Sequence, residues 1–116
     1  MTLRLAAAAA VLLALASGVA PLAAQSGVQV PRLERRVTDL TGTLTADEIA
    51  AIERKLAAFE ERKGSQIAVL FVPTTEPETI EQYGIRVVDA WKLGREEVDD
   101  GVLFLVAKDD RALRLE

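Results

Sequence analysis

Four of the chain's aspartates stand in two adjacent pairs within DDGVLFLVAKDDRALRLE, residues 99–116. Asp99 and Asp100 precede the apolar run GVLFLVA, while Asp109 and Asp110 follow it and lead directly into Arg111. Carboxylate oxygens of this kind are ligands for a hard divalent cation, Ca²⁺ or Mg²⁺, and an arginine beside them is a partner for a phosphate or carboxylate. Other familiar chemistries drop out. The 116 residues include no histidine and no cysteine, which removes Ser-His-Asp and Cys-His catalysis and the usual zinc ligands. There is also no EF-hand spacing and no glycine-rich phosphate cradle.

Whether the four aspartates act together depends on the elements that carry them. VTDLTG, from residue 37, reads as a short extended piece and a turn, with Asp39 just ahead of a helix. In LTADEI, Thr45 can cap that helix while Glu48 reaches back to the cap's own amide. Ile49, Ile52, Leu56 and Phe59 then recur at helical spacing, and Gly64 supplies the stop. QIAVLFV, residues 66–72, is short and continuously apolar, as a central strand buried on both faces is. A second helix starts at Thr79, again with a possible capping box to Gln82, and buries Ile80, Tyr83, Val87 and Trp91; Gly84 on that stripe suits a close backbone approach. GVLFLVA, residues 101–107, is the second buried strand, KDDR a tight turn, and ALRLE a strand with one covered face.

These elements predict an α/β sandwich with a mostly parallel central sheet, a βαβ core and a C-terminal hairpin. Asp100 then sits where the 101–107 strand enters the sheet and Asp109 just beyond its exit, up to roughly 30 Å apart at about 3.3 Å per residue. The two pairs belong to different edges. Asp109 and Asp110 share the carboxyl edge with Asp39 and with the loop bearing Thr74, Thr75 and Glu76, the edge where open α/β sheets carry ligands. The expected constellation is therefore Asp39, Asp109 and Asp110 as oxygen ligands, with Arg111 as an anion partner for substrate. Asp99 and Asp100 form a weaker second candidate. Ordinary turn chemistry is the competing explanation for both pairs, because aspartate bonds its own backbone and tolerates left-handed geometry.

The N-terminus speaks to the compartment. MTLRLAAAAAVLLALASGVAPLAA, residues 1–24, has the charge, apolar run and small-residue end of a secretory signal peptide, with a retained membrane anchor as the alternative. Export to the periplasm or another extracytoplasmic space follows, with anchoring to the inner membrane as one form of it. Residues 25–36 read as an exposed linker, whose Arg32, Arg35 and Arg36 are either solvated or close to anionic lipid headgroups. Without its first 24 residues the chain has 13 basic against 18 acidic side chains, a balance that disfavours a nucleic-acid partner.

VTDLTGTLTADEIAAIERKLAAFEERKGSQIAVLFVPTT, IEQYGIRVVDAWKLG and DDGVLFLVAKDDRALRLE, in this order, closely resemble the TPM domain, also called TPM phosphatase, of exported bacterial and thylakoid-lumen proteins. The resemblance covers residues 33–116 and implies a three-layer α/β/α sandwich with an acidic site for divalent cations. It also implies a phosphatase label that rests on some members only. Asp39, Asp100, Asp110 and Arg111 occupy the positions that look like the family's recurring polar ones. Members usually continue past the point where this chain stops in mid-strand, often into a hydrophobic segment. The 37–116 domain is accordingly expected to be truncated, with any membrane tether in the part that follows. Two functions are in view: a divalent-cation-binding envelope module assisting assembly or maintenance of membrane protein complexes, and a metal-dependent phosphatase acting on phosphomonoesters.

Overall fold

Both helices begin where a threonine caps them. Thr45 Oγ1 accepts from the Glu48 amide while Glu48 accepts from the Thr45 amide, and Thr79 and Gln82 repeat the exchange, so each start satisfies two otherwise orphaned donors. The first helix stops at Gly64, whose φ of 78° is the left-handed geometry that glycine adopts without a side-chain penalty. The second stops earlier than its Gly94 suggests, because Lys92 takes the left-handed cap at φ 51°.

The computed structural model describes residues 27–94 and 100–116; residues 1–24, expected to be a signal peptide, and Asp99 lie outside the described residues. In chain order the elements are β1 (Val37–Asp39), α1 (Ala46–Lys63), β2 (Gln66–Val72), α2 (Ile80–Trp91), β3 (Gly101–Ala107) and β4 (Ala112–Leu115). They form one sheet in the order β1-β2-β3-β4, with β1, β2 and β3 parallel and β4 antiparallel to β3. This is the expected mixed α/β architecture with its terminal hairpin.

Alternation along the strands sorts the side chains onto two faces. On one face Ala68, Leu70 and Val72 pair in register with Leu103, Leu105 and Ala107. Tyr83, Val87 and Trp91 of α2 close over them in a core almost without solvent. Buried Val37 and Val69 lie on the opposite face, where Leu56 and Phe59 of α1 share a cleft with Ile67. The helices thus lie on opposite sides of the sheet.

Two expectations need correction. First, residues 27–36 are not an exposed leader. Val28, Val30 and Leu33 pack against the core, Tyr83 donates its hydroxyl proton to Gln29 O at 2.9 Å, and Trp91 Nε1 donates to Pro31 O at 2.7 Å. Arg36 is not an unpaired cation, since its guanidinium bonds Glu53 and Glu60 of α1. Second, the face under α1 is only half covered. α1 touches β1 and β2 but not β3 or β4, so Val102 is 37% exposed, and Leu113 and Leu115, expected on a covered face, are 60% and 65% exposed.

Glu53 closes the free edge of β1. Its carboxylate accepts from the Arg36 and Val37 amides, both at 3.0 Å, supplying partners that no neighbouring strand provides. At the amino edge of the sheet Gly94 and Gly101 meet backbone to backbone, where a Cβ on either would collide with the other's main chain. Gly84 differs, since a Cβ there would make only an ordinary 3.5 Å contact with Leu105. Its expected role in close approach is therefore not required by the packing.

Two substitutions follow, measured by urea denaturation. Glu53→Ala should lower stability by about 2–3 kcal/mol, because two backbone donors lose a charged acceptor; the half-exposed ion pair to Arg36 adds little. Gly84→Ala should raise stability by about 0.5–1 kcal/mol through helix propensity, and a loss instead would mean the helix–sheet spacing is tighter than described.

Candidate functional site

Parallel pairing places the exits of β1, β2 and β3 along one rim, since Asp39 pairs with Phe71 and Val72 with Ala107. Two further backbone bonds carry the alignment into the loops: Lys108 N donates to Val72 O at 2.9 Å, and Asp109 N to Pro73 O at 2.8 Å. The chain must turn sharply after each strand, and acidic side chains organise those turns.

Asp39 organises the first. Its Oδ1 accepts from the Thr41 amide at 2.9 Å and the Thr41 hydroxyl at 2.6 Å, and its Oδ2 accepts from the Leu44 amide at 2.8 Å. Partial burial pushes its pKa up, but the donors at Leu44, Thr41 and Thr43 outweigh that and hold the carboxyl below the usual aspartate range. It stays ionised and anchors the loop that leads into α1.

Asp110 ties together the other two exits. Thr74 Oγ1 donates to its carboxylate with 2.9 Å to either oxygen, and the Thr75 amide donates to Oδ2 at 3.0 Å. Thr74 Oγ1 in turn accepts from the Glu76 amide, and buried Thr75 donates its hydroxyl to Glu78 O at 3.2 Å. Thr74 and Thr75, which a plain loop explained equally well in sequence, therefore hold Asp110 in place.

Asp109 and Arg111 complete the rim and point the other way energetically. Both are exposed, and among the described residues neither side chain has a hydrogen-bond or ion-pair partner. Arg111 holds φ at 52°, a left-handed position costing a non-glycine residue about 1–2 kcal/mol. An arginine kept where glycine or asparagine would be easier is a reason to look for a ligand at its guanidinium.

Asp39, Asp109 and Asp110 share this edge, as expected, but not one point. β1 and β3 flank β2, so their ends are about 10 Å apart at two strand spacings. Ligands of one Ca²⁺ each lie about 2.3–2.6 Å from the ion. Among the described residues no three carboxylates are grouped to hold a metal ion. Asp100 lies at the opposite edge, where its carbonyl accepts from the Gln66 amide, and takes no part in this rim.

Sequence reasoning missed the Arg36–Glu53–Glu60 cluster, whose members come from separate elements and carry no shared spacing. The Asp39 turn had a readable signal, the Asp-x-Thr spacing of a side chain that bonds the backbone two residues on.

Asp39 is the group on which stability should depend in acid. A carboxyl depressed in the folded state contributes stability above the unfolded pKa, near 4, and loses it as pH falls through the folded value. Asp39→Asn should therefore cost about 1–2 kcal/mol at neutral pH and flatten the decline of stability below pH about 4, read from thermal melts between pH 2 and 7.

Comparison with known proteins fits this architecture. Solution NMR structures of the N-terminal domains of two bacterial proteins superpose on the chain: one from P. gingivalis at TM-score 0.66 and 26% identity, over 75% of this chain and 59% of that one. The other, from Corynebacterium glutamicum, superposes at TM-score 0.60 and 17% identity, over 77% and 57%. The chain thus spans less than two thirds of the length of either. Among curated proteins nothing matches. The family model of the TPM domain matches residues 37–116, from the first residue of β1 through the whole sheet, and the chain belongs to the TPM-domain family.

Proposed function

We propose that this chain is a non-catalytic module of exported TPM-domain proteins, one that assists assembly or maintenance of membrane protein complexes and takes a divalent cation weakly at Asp109 and Asp110. The observation that carries this reading is the state of the rim carboxylates. Asp39 is held ionised by its own loop, so it is not poised near neutrality as a general acid or base. Asp110 is occupied in tying two loops together. What remains outward is one carboxylate, the free edge of another and one guanidinium, a surface suited to binding more than to a desolvated reaction.

Residues 1–24 support export by composition alone. Among the described residues no helix is long and apolar enough to cross a membrane. A phosphatase acting on phosphomonoesters is the second reading, and Arg111 favours it: an exposed, unpaired guanidinium on a residue held at left-handed φ is a fit for a phosphoryl oxygen. In that case Arg111 would orient the anion, and the metal would supply charge neutralisation.

Thermal melts in Ca²⁺ and Mg²⁺ test the module. At ten times the dissociation constant the midpoint should rise by about 8 °C, and Asp109→Asn should remove the rise without changing the metal-free midpoint. Release of phosphate from p-nitrophenyl phosphate should be absent. Divalent-dependent release that disappears in both Arg111→Ala and Asp110→Ala would establish the phosphatase in its place.

A further inference from the structure

Residues 27–33 run along α2 as a strap that belongs to neither the helices nor the sheet. They carry no regular secondary structure, and among the described residues no backbone–backbone hydrogen bond joins them to the rest of the chain. Side-chain donors of α2 hold them instead, each on a strap carbonyl: Arg86 Nη2 on Val28 O at 2.6 Å, the Tyr83 hydroxyl on Gln29 O and Trp91 Nε1 on Pro31 O. Val28, Val30 and Leu33 pack against the core but are only partly buried.

The two ends of the strap are held differently. Downstream, Arg36 bonds Glu53 and Glu60, and Val37 is buried and paired with Val69, so the chain is fixed there. Upstream, one side chain closes the strap. Arg86 bonds both oxygens of Glu78, at 3.0 and 2.6 Å, lies 5.4 Å from the centre of the Tyr83 ring, and holds Val28 O with the same guanidinium. Gly27 lies against this pair at φ 89°, where a Cβ would stand 2.7 Å from Glu78 Oε1. A larger residue there is strained at that φ and pushes the Glu78 carboxylate away from Arg86.

Three hydrogen bonds and three partly buried apolar side chains are a small share of what the sheet and its helices contribute, and segments held in this way open before the whole domain does. We propose that residues 27–33 are a releasable strap with Arg86 as its clasp, whose opening bares Tyr83, Arg86 and Trp91 while the sheet and both helices stay folded. Tyrosine, arginine and tryptophan are the side chains that most often anchor protein contacts, so the closed strap is a cover over a contact face. None of these residues belongs to the group of Asp39, Asp109, Asp110 and Arg111, so the cation reading stands or falls without them.

Trp91 is the chain's single tryptophan, and its indole proton reports directly on the bond to Pro31. Followed by hydrogen exchange in the ¹⁵N-labelled full-length chain, that proton should exchange about tenfold or more faster than the slowest amides of β2 and β3, at a rate that low urea does not change. Arg86→Ala, which keeps a good helix former in α2, should speed it about tenfold further, and Gly27→Ala should act in the same direction. The amides of Leu70 and Leu105 should keep their rates in both variants. An indole proton with the rate and urea dependence of those core amides in the unsubstituted chain would make the strap part of the cooperative core and overturn the proposal. Indole exchange unchanged by Arg86→Ala would overturn it too, as would core amides that speed up together with the indole.

Discussion

The seven-residue parallel pairing of β2 with β3, from Gln66 opposite Gly101 to Val72 opposite Ala107, is the constraint from which the rest follows. Parallel strands must be joined by a crossover, and the one present here carries α2 across the face of Leu70 and Leu105. Because both strands leave the sheet at the same level, their exit loops lie side by side. Only that alignment lets Thr74 and Thr75 reach Asp110, 36 and 35 residues further along the chain.

The rim carboxylates are first of all structural. Asp39 and Asp110 each satisfy backbone donors that a sharp turn after a strand leaves without partners, and burying such donors unpaired costs about 1–3 kcal/mol apiece. This also explains why a shared edge does not become a shared metal site. Asp39 is directed by Thr41 and Leu44 within its own loop, and Asp110 by Thr74 and Thr75 in another. Each side chain's orientation is already decided locally. Carboxylates already directed in this way do not converge on one point, as the six to eight oxygens around a calcium ion would need.

Much of this was legible in the sequence. The capping boxes at Thr45 and Thr79 fixed both helix starts, and the two unbroken apolar runs identified the paired strands. The separation of Asp100 from Asp109 and Asp110 followed from strand length alone. The misreadings have physical causes. The 28–33 segment is held by backbone carbonyls that accept from Tyr83 and Trp91, and a carbonyl acceptor carries no residue signature. GVLFLVA is apolar at every position after its glycine, so a period of two cannot tell a covered face from an open one. In ALRLE the alternation was visible, but its direction was not.

That direction is set by the rim. A slip of one residue in β4 would turn Leu113 and Leu115 toward α2 and Arg114 outward, the arrangement hydrophobicity alone prefers. The observed register does the reverse: Ala112 packs against the core, while Arg114 reaches Glu116 at 2.7 Å and lies 3.9 Å from Glu81 of α2. The turn holds it there. Asp110 is fixed to Thr74 and Thr75, and Arg111 takes the left-handed step that brings its amide to Lys108 O at 3.2 Å, so Ala112 falls opposite Ala107. The strain in Arg111 and the exposure of two leucines are therefore one feature. The carboxylate that organises the rim also keeps the apolar side of β4 facing the open half of the sheet.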